Sequence, residues 1–161
     1  MRRIQIIVNN GAGTGQAHRV WKETQRLLRG YKIKYEAHMT RYRGHATKLA
    51  EEISGRKGND PVYLLVVGGD GTINEVLNGI LDFDRVRLGV IPTGSGNDFG
   101  RNLKLPKTPK ESLRQICACI RKDQRGLELR RIDLGQIRWE GCEKPRIFGI
   151  SARLGLDALV C

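Results

Sequence analysis

Asp70 is the residue around which chemistry can be built. It stands in Gly68-Gly69-Asp70-Gly71-Thr72-Ile73-Asn74-Glu75-Val76, three glycines and a carboxylate between an apolar run and an amphipathic one. Glycines let an anion approach the backbone, and the unpaired N–H groups of a helix start favour negative charge there. A carboxylate beside phosphates is repulsive unless it orders Mg²⁺ through water or takes a proton from an attacking hydroxyl. Asp70 is therefore the candidate catalytic residue. A structural reading competes with this one: a glycine turn in which Asp70 forms an Asx-turn. Two further stretches have similar composition, Asn9-Asn10-Gly11-Ala12-Gly13-Thr14-Gly15 and Thr93-Gly94-Ser95-Gly96-Asn97-Asp98-Phe99-Gly100-Arg101. Each follows an apolar run. In the second, Ser95 and Asp98 also read as a capping box.

The elements that must hold these turns alternate. Ile4 to Val8, Tyr31 to Met39, Leu64 to Val67 and Val86 to Ile91 read as strands, with the third apolar throughout and so buried on both faces. Between them lie helical patterns. Ala17 to Arg29 places Ala17, Val20, Trp21, Thr24, Leu27 and Leu28 on one face, and a second helix turns Ala46, Leu49, Ala50 and Ile53 inward. After the central motif, Ile73, Val76, Leu77, Ile80 and Leu81 form an apolar stripe, with Thr72 as N-cap and Glu75 completing a capping box. Thr108-Pro109-Lys110-Glu111 starts another helix, with Pro109 at the first helical position. Thr40 ends the second strand, where open α/β sheets bind ligands. From Gly126 the alternation stops: Leu127, Leu129, Ile132, Leu134 and Ile137, then Arg146 to Ala152, suggest strands alone. The fold expected is α/β, an N-terminal three-layer nucleotide-binding domain over residues 1–125. The beginning of a β-rich second domain, left incomplete, covers 126–161.

Composition narrows the function. The net charge of +12 calls for an anionic partner, yet it is unevenly placed. Residues 1–60 hold 13 Lys/Arg against 5 Asp/Glu and residues 101–161 hold 14 against 7, whereas residues 61–100 hold 2 against 5. A slightly acidic centre between basic flanks suits an active site with a basic surface around it. Nucleic-acid binding ranks last, since no aromatic–basic interleaving or recognition motif occurs. The four cysteines form no C-x-x-C pair and have no nearby histidine, which argues against zinc and for reduced, intracellular thiols. No segment approaches the length of a membrane span. The dinucleotide fingerprint fails because Gln16 stands where its third glycine belongs, and no Walker A loop exists.

Taken in order, these residues resemble the diacylglycerol kinase catalytic-domain family, which includes bacterial lipid kinases and sphingosine kinases. Gly68 to Val76 is similar to its nucleotide motif and Pro92 to Phe99 to its second glycine turn. Asn9 to Gly13 resembles its first turn, and Thr40 with Gly44-His45-Ala46 its second-strand signature. Ile132-Asp133-Leu134-Gly135 and Gly155-Leu156-Asp157-Ala158 resemble the opening of its second domain. Asn10, Ser95 and Gly100 stand where the family usually has proline, threonine and alanine. The resemblance implies ATP and Mg²⁺ as cofactors, with nucleotide contacts at Asn9, Asn10, Gly11, Ala12, Gly13, Thr40, Gly68, Gly69, Asp70, Gly71, Thr72, Ile73, Asn74 and Ser95. The family's metal and proton-abstracting carboxylates fall in a longer C-terminal lobe, so no metal ligand is assigned here.

The function expected is transfer of the γ-phosphoryl group of Mg·ATP to a lipid hydroxyl such as that of diacylglycerol, or the ATP-binding part of such a kinase. Positioning and charge neutralisation dominate this chemistry. A NAD kinase-type enzyme and a non-catalytic nucleotide-binding lobe are the alternatives. The protein is expected in the cytoplasm, held peripherally on an anionic membrane surface by its basic flanks. Its oligomeric state, a homodimer included, is left open.

Overall fold

The computed structural model describes residues 3–9, 11, 16–126 and 129–149 of the chain. Four strands, β1 (Ile4–Val8), β2 (Tyr35–Met39), β3 (Val62–Gly68) and β4 (Val86–Pro92), form one parallel sheet in the order β2-β1-β3-β4. Parallel neighbours need crossovers, and helices supply them. α1 (Gln16–Gly30) and α5 (Pro109–Asp123) cover one face, while α2 (His45–Ser54) and α3 (Asp70–Leu77) cover the other with the short α4 (Asp98–Asn102). The result is the three-layer α/β arrangement expected from the alternation.

The strand sequence explains the two cores. In β3, Leu65 and Val67 join Ile4, Ile6, Trp21 and Leu113 on one face. Leu64 and Val66 join Ile7, Ala50, Ile73 and Val76 on the other. Fully burying such a side chain is worth about 1.5–3 kcal/mol. Gln5 is polar yet only 7% exposed. Its amide oxygen lies 2.9 Å from His38 Nε2, and the hydrogen bond from its side chain to Glu36 holds that carboxyl below its ordinary range.

Helix starts are where sequence and structure part. Thr108 caps α5 as expected, its Oγ1 accepting from Glu111 N at 3.3 Å. Thr72 does not cap α3: the helix begins at Asp70 with Gly69 as N-cap, and Thr72 lies inside the first turn. Glu75 reaches a different helix, its Oε2 accepting from Ala46 N at 3.2 Å. Ser95 and Asp98 form no capping box either, because Asn97 is the N-cap of α4 and makes no side-chain cap bond. A single turn of sequence cannot reveal that a carboxylate serves a neighbouring helix.

Other boundaries shift for local reasons. Lys32 has φ 53°, so Tyr31 and Lys32 form a turn and β2 starts only at Tyr35. α3 stops at Leu77; Ile80 is buried beyond it, but Leu81 is 62% exposed. Residues 129–134 carry no strand, and among the described residues of this part pairing is confined to the antiparallel β5 (Gly135–Ile137) and β6 (Arg146–Phe148). The rest of the expected last strand, 150–152, and Gly155 to Ala158 lie outside the described residues. The small sheet is tied to α3 by one amide: Asn78 Nδ2 donates to Ile147 O at 2.8 Å while its Oδ1 accepts from Ile147 N at 2.9 Å. Asn78 thus pairs with β6 as another strand would.

α2 and α3 meet where Gly79 follows the helix. A Cβ at Gly79 would lie 2.1 Å from Thr47 O. Gly79→Ala is expected to cost about 1–3 kcal/mol or more, as overpacking against backbone does. Urea denaturation measures it, and a loss within the roughly 0.5 kcal/mol typical of surface substitutions would contradict the contact.

Candidate functional site

All four strands point their C-terminal ends the same way, and the sheet register sets their last residues in a row. Thr40 N donates to Val8 O at 2.9 Å, Asn9 N to Val67 O at 2.9 Å and Thr93 N to Gly68 O at 3.1 Å. Thr40, Asn9, Gly68 and Thr93 therefore stand side by side across the sheet. The chain leaves β1 towards β2 on one side and returns to β3 on the other, so the row crosses a topological switch point between β1 and β3. Asn9 spans that point, donating from Nδ2 to Thr72 Oγ1 at 2.9 Å and accepting from Gly11 N at 3.1 Å.

The glycines are required by what touches them. A Cβ on Gly68 would lie 2.7 Å from the Cβ of Thr72, so the strand can end against the first turn of α3 only without a side chain. Gly69 and Gly94 face each other: a Cβ on one would lie 3.1 Å from the other's Cα, and the reverse distance is 3.0 Å. Gly71 is exposed and has open space around it. The N-cap of α3 is Gly69, which has no side chain to bond the leading N–H groups at this end of the sheet.

Asp70 joins the two turns. Its Oδ2 accepts from Asp98 N and its Oδ1 from Phe99 N, both at 3.0 Å, so the first residue of α3 caps α4. Charge and dipole agree, because a carboxylate is favoured at a helix N-terminus. A carboxylate has about four acceptor sites, so capping leaves part of Asp70 available to a ligand. Asn97, with φ 50°, closes the second turn on itself through Oδ1, which accepts from Gly94 N at 2.9 Å. Asp98 pairs with Arg101. A Cβ on Gly96 would lie 3.3 Å from Asp70 Oδ2 and 3.9 Å from Asp98 Oδ2, so both carboxylates face that glycine.

The row also contains an unmet donor. Thr93 is 6% exposed, and its hydroxyl is the one buried side-chain polar atom among the described residues with no hydrogen-bond partner. An unpaired buried hydroxyl costs free energy, so its persistence at a ligand-type turn points to a group that supplies the partner.

Of the residues singled out from sequence, Asn9, Gly11, Thr40, Gly68, Gly69, Asp70, Gly71 and Thr72 come together at this edge. Asn10, Ala12 and Gly13 lie outside the described residues. Ile73 is 2% exposed in the core, so only its backbone is near the site. Asn74 supports Asn78, whose Nδ2 donates to Asn74 O at 2.8 Å. Ser95 is exposed at the second turn. Thr93 and Asn97 stand outside the contacts expected from sequence, though a hydroxyl directly after the strand-ending Pro92 is a readable signal. His45 Nδ1 accepts from Arg41 N at 3.1 Å and its ring stacks on Tyr42, so it holds the β2–α2 turn.

Glycine turns at the strand ends of a parallel α/β sheet are an arrangement in which backbone N–H groups can meet an anion, and they set the chain among open α/β proteins. The diacylglycerol kinase catalytic-domain family model matches residues 3–134, and the chain belongs to that family. The diacylglycerol kinase of Bacillus subtilis (strain 168) is 39% identical over 112 residues, covering 66% of this chain and 35% of its own length. That of Staphylococcus aureus (strain MRSA252) is 41% identical over 108 residues, covering 65% and 33%. A solved diacylglycerol kinase structure from Bacillus anthracis str. Sterne superposes with a TM-score of 0.60 at 30% identity, over 72% of this chain and 43% of that one. The chain thus spans about a third of the length of these curated relatives.

Asp70→Ala leaves two N–H groups of α4 without acceptors and is expected to cost about 1–2 kcal/mol, the range of a lost cap. Asp70→Asn keeps one oxygen and is expected to cost less. Urea melts with amide exchange at Phe99 read both, and unchanged exchange in Asp70→Ala would contradict the cap.

Proposed function

We propose that this chain is the nucleotide-binding lobe of a lipid kinase, moving the γ-phosphoryl group of Mg·ATP to a lipid hydroxyl such as that of diacylglycerol. Residues from about 126 onward open its lipid-receiving lobe. Family membership supports the kinase class, and the matched relatives are named diacylglycerol kinases. The observation that carries the nucleotide site is the buried, unpartnered Thr93 hydroxyl beside two glycine turns in backbone contact.

In this reading the backbone N–H groups at Gly69 to Thr72 hold phosphate oxygens, with Asn9, Thr40, Thr93 and Ser95 as polar contacts. Among the described residues no three His, Cys, Asp or Glu side chains converge to hold a metal. Asp70 and Asp98, facing Gly96, fit a Mg²⁺ that arrives on the nucleotide's phosphates, where it would neutralise their charge. Asp70 orients the acceptor hydroxyl or receives its proton. No helix among the described residues is long and apolar enough to cross a membrane. The protein meets its lipid peripherally, through its positive charge.

A second reading is a lobe that binds nucleotide without turnover; it is favoured by Asp70, whose two carboxylate oxygens are both engaged by the leading N–H groups of α4. Kinase assay separates the two. In a version of the chain extended past Cys161, Asp70→Asn should lower turnover by the roughly 10²–10⁴-fold that a positioned acid or base contributes. The 161-residue chain alone should form little or no labelled phosphatidic acid from Mg·[γ-³²P]ATP and diacylglycerol micelles. Robust product from it would refute the second reading.

Mg·ATP should raise Tm, by the equivalent of about 2.7 kcal/mol at a hundredfold excess over Kd. Gly69→Val should abolish the rise. Thr93→Val should do two opposite things, stabilising the free protein and weakening the ATP response. A thermal scan with no response to any purine nucleotide, or Thr93→Val with a full response, would contradict the site.

A further inference from the structure

The two helical layers of the fold are charged in opposite senses. α1 and α5 together carry eight Lys/Arg against three Asp/Glu. α2 and α3 carry Lys48 alone against Glu51, Glu52, Asp70 and Glu75. On α1, Arg19, Lys22 and Arg26 recur at i, i+3 and i+7, opposite the buried Ala17, Trp21, Thr24 and Leu28. On α5, Lys110, Arg114 and Arg121 form an exposed stripe beside Cys117. Two of the three acids are already engaged. Asp123 binds Arg87 Nε at 3.2 Å and Tyr63 Oη at 2.8 Å, and Glu111 accepts from Thr108 Oγ1 at 2.8 Å. The positive charge of this layer is therefore little offset.

Where α1 hands over to β2, the layer forms an open cleft of about 460 Å³ lined by Tyr31, Ile33, Arg114, Cys117, Arg121 and Gln124. Ile33 and Cys117 are 7% and 6% exposed and make an apolar floor. Burial pushes the Cys117 thiol up, so it stays uncharged at neutral pH despite Arg121 nearby. Arg114 and Arg121 are seven residues apart on one helix, about 10 Å along its axis. Tyr31 is 46% exposed at the rim. Two guanidinium groups over an apolar floor suit an anionic headgroup together with the first carbons below it.

We propose that the α1–α5 layer is the face that docks on an anionic phospholipid bilayer, with the Tyr31, Arg114 and Arg121 cup seating a headgroup. The choice of bilayer over nucleic acid rests on the lipid-kinase reading and on the shape of the site. Single strands need exposed aromatic platforms in series, and the described residues of this layer offer Tyr31 alone. The layer runs alongside the sheet, so docking leaves the strand-end turns at the membrane's edge and uncovered.

The test is partition of the chain between buffer and vesicles of phosphatidylglycerol with phosphatidylcholine, or phosphatidylcholine alone. One variant combines Lys22→Gln, Arg26→Gln, Arg114→Gln and Arg121→Gln. A control removes the same charge elsewhere, through Lys48→Gln, Lys57→Gln, Lys107→Gln and Lys144→Gln. Each basic residue near an anionic surface is worth about fivefold in partition, so the layer variant should bind at least roughly tenfold more weakly and the control within about threefold. Equal losses would mean that net charge alone acts, and would overturn the assignment. So would a layer variant that keeps its vesicle binding but loses binding to a DNA duplex. Should the layer variant fail to fold, the unaltered protein decides: vesicles should protect Tyr31 from oxidative labelling and leave Tyr42 and Trp139 open, and the reverse pattern would overturn it. The Mg·ATP thermal shift, recorded on the same samples, should persist in the layer variant. Its absence from the unaltered chain would count against the nucleotide site and leave the vesicle result standing by itself.

Discussion

Gly69 and Gly94 bring two turns of the chain into backbone contact, with a methyl group on either placed within 3.1 Å of the other's Cα. Everything at the strand-end edge depends on that approach. It sets β3 and β4 so that Gly68 O accepts from Thr93 N, and it puts the Asp70 carboxylate within 3.0 Å of the two leading N–H groups of α4. Remove the contact, by any side chain at either glycine, and the turns must separate by a few tenths of an ångström or more. The cap, the Asn97 turn and the row of polar groups would then lose their common frame. In the proposed reading, two weak anion sites become one because the backbones touch.

The same economy of contacts appears on the acidic side of the sheet. Glu75 holds the start of α2, Thr47 Oγ1 returns a bond to Glu75 O at 3.0 Å, and Asn78 pairs with β6. The α2–α3 layer uses its polar groups internally, to fix α3 and therefore the first glycine turn. The α1–α5 layer uses few of its charges internally and presents them to solvent. This division lets one face of the sheet serve as a rigid mount for the site while the other is free to meet an anionic surface.

Much of this was legible in the sequence, and what was not has a physical cause. Apolar period located β1, β3, β4 and four helices, because each buries a face whose spacing the chain must keep. Thr108, Pro109 and Glu111 are legible as a helix start because a capping box is closed within four residues. The capping roles that Thr72, Glu75 and Ser95 suggest do not form, because α3 begins two residues before Thr72, at Asp70, and the acceptors that satisfy α2 and α4 come from 28 or 29 residues away. Tyr31 alternates with Ile33 and Tyr35 like a strand, but Lys32 adopts a left-handed turn that alternation cannot show. The glycine turns themselves are legible by residue type and spacing. The distinction of Thr93, a buried hydroxyl with no partner among the described residues, exists only in three dimensions.

The central claim is that the two glycine turns make one phosphate site. Titrating the isotope-labelled chain with Mg·ATP and following backbone amide resonances tests it most directly. The largest changes should fall on Gly69 to Thr72 and on Thr93 to Phe99 and should share a single midpoint. Changes confined to one turn, different midpoints for the two, or a response centred away from both would contradict the account.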